Sequence, residues 1–247
     1  MSEAVAVIPC FNEERRLDAN EVLRLASAVG VRVIAVDDGS SDGTRFKLEH
    51  MSEQAGEGRL EVLALSKNVG KAEAVRRGLL HALDAGARWV GYLDADFSTP
   101  ADEWLRLLEG ARLSGAQAVL GSRVKRAGAQ IDRQVTRHLT GRVFATAASL
   151  VLRQSFYDTQ CGAKLFRDSS ALRDALSRTF HSRWAFDVEL LGRLLTAPEP
   201  LPFEAFAEVP LQRWRDVGGS KLGVIGMVRA TLDLARIEVE LEMRRRR

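Results

Sequence analysis

The chain has 247 residues, with 36 Lys+Arg against 33 Asp+Glu and a net charge of +3; 46% of the residues are hydrophobic and 28% charged. These proportions are those of an ordinary globular protein and exclude a disordered chain, a collagen-like repeat and a disulfide scaffold. Cys10 and Cys161 are too few for a secreted framework, the longest nearly apolar stretch (145–152) is far short of the ~20 residues that span a bilayer, and nothing after Met1 resembles a signal peptide, so the sequence predicts a soluble, cytoplasmic protein.

Residues 5–8 are a short apolar run that predicts a strand. Over 21–29, Val22, Leu23, Leu25, Ala26 and Val29 stand at helical spacing. Residues 31–36 are strand-like and end at Asp37-Asp38-Gly39-Ser40. A helix over 44–54, started by Asp42, leads to a strand over 60–65. Asn68-Val69-Gly70 opens a helix through Leu83, with Ala72, Val75, Leu79 and Leu83 on one side. The strand at 89–93 runs into Asp94-Ala95-Asp96, and Pro100 suits the first turn of a helix ending at Leu113. A strand over 118–120 is followed by Gly121-Ser122-Arg123.

The second half is less regular. Residues 131–156 predict one long helix or two short ones. Val135, Leu139, Val143, Ala147, Leu150 and Val151 lie along one side, Phe144 widens the apolar face, and Arg133, Arg137 and Arg142 mark the polar one. A segment over 157–166, a helix from Ser170, a segment over 184–195, a strand-like 206–214, a turn at Gly218-Gly219 and a helix over 224–243 complete the chain. No repeat or low-complexity linker divides it, so residues 1–247 are read as one domain.

Strands separated by helices predict an α/β fold with a mostly parallel, Rossmann-like sheet flanked by helices. Ligands bind such sheets at the carboxyl ends of the strands, near the switch in strand order. Four polar clusters follow strands here: 9–14, 37–42, 94–98 and 122–123.

Asp94-Ala95-Asp96 is the strongest single feature. Two carboxylates one residue apart at a strand end can bind Mg²⁺ or Mn²⁺, which then neutralises a diphosphate. After the first strand, Phe11 can stack on a base and Glu13 can accept hydrogen bonds from base or ribose, or the acids can favour a helix N-terminus. After the second, Asp38 can hold a base edge while Gly39 permits the turn. His50, His81, His138 and His181 show no metal-ligand spacing. No G-x-G-x-x-G and no Walker sequence is present. From Arg123 to Arg153, seven basic residues face one acid, Asp132, and Arg244–Arg247 end the chain. Such runs are a solvated face or a surface for anionic lipid or phosphate; with no recognisable motif and no interleaved aromatics, no nucleic-acid partner is expected.

Pro9-x-Phe11-Asn12-Glu13, Val36-Asp37-Asp38-Gly39-Ser40-x-Asp42-Gly43-Thr44, Asn68-x-Gly70-Lys71 and Asp94-Ala95-Asp96 resemble the GT-A-type inverting glycosyltransferases of family two. Asp158-Thr159-Gln160-Cys161-Gly162-x-Lys164-Leu165-Phe166, the run Trp184-Ala185-Phe186-Asp187-Val188-Glu189-Leu190-Leu191 and Gly219-Ser220-Lys221-Leu222 resemble the dolichyl-phosphate β-glucosyltransferases within it, more closely than the dolichyl-phosphate mannose synthases. The similarity covers about residues 4–235. It implies a nucleotide-sugar half over 1–123 and an acceptor half over 124–247.

By this resemblance Pro9, Phe11, Glu13, Val36 and Asp38 hold the nucleoside. Asp94, Ala95 and Asp96 hold ribose and phosphates, with Asp96 on the metal. Related synthases carry Gln two residues after the second aspartate; this chain carries Ser98 at that metal position. Arg123, Arg215 and Lys221 match basic positions that reach a phosphate, where cations meet the charge of the leaving group.

A hydroxyl acceptor needs a carboxylate base; a phosphate monoester, with a second pKa of about 6, does not. Asp158 and Asp187 are candidates for orienting sugar or acceptor, or for a turn cap and a helix start. The resemblance implies UDP-glucose as donor, a polyprenyl phosphate as acceptor and Mg²⁺ or Mn²⁺ as cofactor. Residues 131–156, apolar on one side and Arg-rich on the other, suit an anionic membrane surface or a cover for the sheet, and imply a peripheral position on the inner face of the membrane. The alternatives are a GDP-mannose enzyme, a soluble transferase acting on a sugar hydroxyl, and a non-catalytic nucleotide-sugar-binding scaffold.

Overall fold

The computed structural model describes residues 3–132, 135–217 and 224–246, without the side chains of 135–142 and 224–231. Seven strands form one sheet in the order β3-β2-β1-β4-β7-β5-β8: β1 (Ala4–Cys10), β2 (Val31–Asp37), β3 (Leu60–Ala64), β4 (Trp89–Leu93), β5 (Ala118–Ser122), β7 (Ala163–Arg167) and β8 (Phe206–Pro210). All neighbours pair in parallel except β7, which runs antiparallel between β4 and β5. A separate ribbon joins β6 (Gln130–Asp132) to β9 (Arg213–Arg215).

β1 is apolar on both faces because both faces are covered. Val5 and Val7 face one core layer with α3 (Lys71–Asp84), α6 (Ser170–Leu176), α7 (Phe186–Leu195) and parts of α5 (Val135–Leu152) and α8 (Val224–Arg245). Ala4, Ala6 and Ile8 face the other, with α1 (Ala19–Ser27), α2 (Thr44–Ala55) and α4 (Ala101–Ser114). Gly78 of α3 lies against the sheet so closely that a Cβ there would stand 2.4 Å from Val7 Cγ1. The strand order reverses direction at β1, with β2 on one side and β4 on the other. The crevice at their carboxyl ends is the expected ligand position.

The first-half elements agree with the sequence reading to within two residues at nearly every boundary. The second half departs from it. The expected helix over 131–156 is shorter, Val135–Leu152, because Ile131 is instead a buried residue of β6 beside Trp214. The expected strand over 206–214 is two strands in different sheets. The apolar side of α5 is divided: Val151 and Phe144 pack inward, and Phe144 meets Trp184 edge-on at 4.8 Å, whereas Val143 and Leu150 point outward, 70% and 73% exposed. Arg133 lies outside the described residues, as do the side chains of Val135, Arg137, His138, Leu139 and Arg142; so does the expected turn at Gly218-Gly219. Among the described residues no helix is long and apolar enough to cross a membrane.

Candidate active site

The loops that leave β1, β2 and β4 interlock. Asn12, at φ +53°, receives a hydrogen bond from Ser41 N (2.9 Å) and donates its own N–H to Ser40 Oγ (3.0 Å). Glu13 N donates to Thr44 Oγ1 at 2.7 Å. Asp38 is buried, and its two oxygens accept Val69 N (2.7 Å) and Gly70 N (2.8 Å). The next residue, Lys71, places Nζ 2.6 Å from Asp94 Oδ1. Residues 69–71 therefore tie the β2 carboxylate to the β4 carboxylate, and the clusters at 9–14, 37–42 and 94–98 share one rim.

Phe11 is 42% exposed, and Pro9, two residues before it, is half-buried. Glu13 is engaged by Arg16 (Nε to Oε2, 2.8 Å). Burial pushes the Glu13 carboxyl above its ordinary value; Arg16 opposes this, while Asp96 and Asp42 add to it, so Glu13 and Asp96 belong to one electrostatic neighbourhood. Val36 requires a correction: the whole residue is buried in the core against α3, between β1 and β3, and is not open to a ligand.

Asp94 and Asp96 are half-buried and Ala95 is buried between them. Asp96 Oδ1 accepts Ser98 N at 2.9 Å, Ser98 O accepts Arg215 N at 3.0 Å, and Phe97 is held at φ +46°. Ser98 thus acts through its backbone here, fixing Asp96 and drawing Arg215 to the triplet. On the Phe97 side a cleft of about 670 Å³ opens, lined by Asp18, Glu21, Phe97, Gln130, Trp214 and Arg215. Lys221 lies outside the described residues.

The residues present fit a divalent cation. Asp96 has no ion-pair partner among the described residues and keeps a carboxylate oxygen for one. Asp94 Oδ1 is buried and lies 2.6 Å from Lys71 Nζ. Gly162 makes the room: a Cβ there would stand 2.1 Å from Asp94 Oδ2. One or two carboxylates at a strand end are the donor set that Mg²⁺ or Mn²⁺ uses with substrate phosphates.

Asp158 and Asp187 are each committed to a cation, half-buried Arg123 and fully buried Lys164. Arg123 grips Asp158 through Nε (2.6 Å) and Nη2 (2.7 Å), its own N–H adds a third bond (3.1 Å), and its guanidinium lies 5.4 Å from the Trp214 ring. Asp187 accepts Lys164 Nζ at 2.5 Å and the Tyr92 hydroxyl. Lys164, fully buried, also donates to Cys161 O at 2.6 Å. Burial would raise the Asp158 pKa, but the Arg123 guanidinium outweighs it and holds the carboxyl below the ordinary range. The stability that this depression supplies is complete above the unfolded value of about 3.9 and lost as pH falls through the lower folded value. In urea titrations between about pH 3 and 5, Asp158→Asn is expected to lose less stability on acidification than wild type; equal slopes would contradict the assignment. Burial raises the Cys161 thiol to about 11, which leaves it un-ionised and no nucleophile at neutral pH.

Sequence reasoning placed no role on Lys71, Lys164, Tyr92 or Gly162. One signal was available: Lys164 interrupts the apolar strand run Ala163-Lys164-Leu165-Phe166, and a lysine there demands a buried partner. Among the described residues a second gathering of ligand atoms occurs at His181, Glu189 and Glu240. Arg193 already fills it, with Nη2 2.5 Å from Glu189 and Nε 3.1 Å from Glu240.

A reversing α/β sheet with interlocked acidic loops and an Asp-x-Asp triplet at its switch point defines a GT-A-type nucleotide-sugar transferase fold. The sequence profile of glycosyl transferase family 2 matches residues 5–173. The chain belongs to that family and is a glycosyltransferase. It is 32% identical to the dolichyl-phosphate beta-glucosyltransferase of Drosophila melanogaster over 235 residues, covering 89% of this chain and 69% of that one. The human dolichyl-phosphate beta-glucosyltransferase is also 32% identical, over 87% of this chain and 68% of its own. Among solved structures, glucosyl-3-phosphoglycerate synthase of Mycobacterium tuberculosis with UDP superposes at a TM-score of 0.69 and 20% identity, over 96% of this chain and 80% of that one. Its complex with Mn²⁺, UDP-glucose and phosphoglyceric acid gives 0.67 at 20% identity over the same shares.

Proposed function

We propose that this chain transfers glucose from UDP-glucose to a polyprenyl phosphate, with inversion at the anomeric carbon and with Mg²⁺ or Mn²⁺ bound at Asp96. The observation that carries the acceptor class is the commitment of both candidate bases. Asp158 is taken by Arg123, and Asp187 by Lys164 and Tyr92. A hydroxyl acceptor would need a free carboxylate to remove its proton. A phosphate monoester is already an anion near neutral pH and attacks without one. The names of the relatives support glucose and a dolichyl-type acceptor, and the UDP-glucose complex of the structural neighbour supports the donor.

In this reading an acceptor phosphate oxygen forms a bond to the anomeric carbon from the face opposite the diphosphate. The bond from that carbon to the leaving oxygen breaks, and UDP departs. A bound divalent cation supplies charge neutralisation at the diphosphate. Phe11 offers its face to the base. Asp38 keeps the 69–71 loop in place, and Ser98 orients Asp96. Arg123, fixed on its Nε and Nη2 edge by Asp158, keeps Nη1 for an acceptor or donor phosphate, with Arg215 beside Ser98 as a second cation.

A lipid acceptor calls for contact with a membrane surface. Val143 and Leu150 on α5, with Leu232, Val239 and Met243 on α8, are exposed. The two helices meet where Arg153 pairs with Glu242 and where Arg245 donates to Val151 O (3.0 Å). With exposed Arg153 and Arg236 nearby, this face suits peripheral docking on an anionic inner membrane face.

The test uses purified chain, Mn²⁺, labelled UDP-glucose, and either a short polyprenyl phosphate or the matching polyprenol. Transfer to the phosphate alone is expected. Transfer to the polyprenol, or transfer only from GDP-mannose, would overturn the proposal. Co-sedimentation with anionic vesicles at low salt tests the membrane face, and no binding would remove that part.

A further inference from the structure

We infer that Lys71 is an internal cation that occupies Asp94 and thereby makes metal binding depend on the nucleotide. The inference rests on the site proposed above and concerns a residue of this chain for which that proposal needs no role.

Three observations carry it. Lys71 Nζ stands 2.6 Å from Asp94 Oδ1, a buried carboxylate oxygen. Lys71 opens α3 directly after Val69 and Gly70, whose N–H groups are bound to buried Asp38, so the backbone that carries it is held at this spot. Its ammonium also lies 5.8 Å from the Phe186 ring. The residue after Phe186 is Asp187, and that carboxylate already belongs to Lys164. Lys71 therefore has Asp94 as its near anionic partner.

The consequence is one of charge. Without nucleotide, the triplet presents a divalent cation with Asp96 alone, because the Asp94 charge is cancelled by Lys71. A single carboxylate plus water is a weak site for a hard cation. A nucleoside diphosphate brings its own oxygens and negative charge, and the cation then has a sufficient ligand set without Asp94. The lysine thus disfavours the empty-handed metal complex and leaves the metal–nucleotide complex intact. Replacing it by a neutral side chain of similar length exposes two carboxylates to the cation instead of one.

The experiment reads Mn²⁺ directly, by electron paramagnetic resonance of free Mn²⁺ titrated against protein with and without UDP. Wild type is expected to bind Mn²⁺ weakly alone and at least tenfold more tightly with UDP. Lys71→Met is expected to tighten nucleotide-free Mn²⁺ binding at least tenfold and to shrink the UDP effect. Lys71→Arg keeps the charge and is expected to behave as wild type, and the double variant Lys71→Met/Asp94→Asn is expected to lose the gain. Circular dichroism reports that each variant is folded. Folded Lys71→Met with unchanged or weaker nucleotide-free binding would overturn the inference while leaving a UDP effect in wild type, and so the donor site, standing. An equal gain in Lys71→Arg would also overturn it. Absence of any UDP effect in wild type would overturn both this inference and the nucleotide site on which it rests.

Discussion

Asp96→Asn is expected to lower kcat/KM for glucosyl transfer by about 10³-fold, at saturating Mn²⁺, with little change in thermal stability. The size follows from what the side chain does. Asp94 is paired with Lys71, Glu13 with Arg16, and Asp38 with two backbone N–H groups. Asp96, half-buried and without an ion-pair partner among the described residues, has its charge left for an external cation. The amide can still accept Ser98 N, so the loop keeps its shape, but the charge proposed to hold the metal–diphosphate is gone. Since Asp96 is half-buried and makes one backbone contact, the variant should melt within about 0.5 kcal/mol of wild type. Labelled transfer assays and a melting curve on the same preparation measure the two halves of this expectation. A loss smaller than tenfold would mean that the metal is held elsewhere.

Asp187→Asn is expected to act on stability, in the opposite pattern. Lys164 is fully buried between β4 and β5, and Asp187 is the carboxylate that compensates it. Removing one partner of a buried ion pair costs about 3–5 kcal/mol, because the other charge is left unpaired. For a chain of this size, that corresponds to a fall in melting temperature of roughly 6–20 °C. The double variant Lys164→Met/Asp187→Leu removes both charges and should recover most of the loss, as replacement of a buried pair by apolar groups often does. Calorimetry of wild type, the single and the double variant forms the measurement. A single variant as stable as wild type would show that the pair is not a buried charge pair.

These two expectations mark where sequence reasoning succeeds and where it stops. Asp94-Ala95-Asp96, Phe11 and Asp38 were legible because each follows directly after an apolar run, and parallel strands deliver their carboxyl ends to one edge. The ion pairs were not legible. Arg123 and Asp158 are 35 residues apart, Lys164 and Asp187 are 23 apart, and Lys71 and Asp94 likewise 23. No spacing rule connects such positions: Asp158 and Lys164 meet their partners because β7 is inserted antiparallel between β4 and β5, and Lys71 meets Asp94 because Asp38 holds the start of α3 beside the end of β4. The same insertion puts Gly162 against Asp94, where any side chain would displace the carboxylate. The shortened α5 has a similar cause. Ile131 has helical spacing with its neighbours in sequence, but pairing with Trp214 of β9 buries it in a strand.

The amino-acid sequence alone therefore determined the α/β class, the alternation of the first 123 residues and the acidic rim, because apolar periodicity and strand-end polarity are local properties. Tertiary structure decided which carboxylates remain available for a ligand and which are consumed by lysine and arginine. That decision depends on desolvation: a charge taken out of water must find a partner wherever the fold brings one, however far away it lies along the chain.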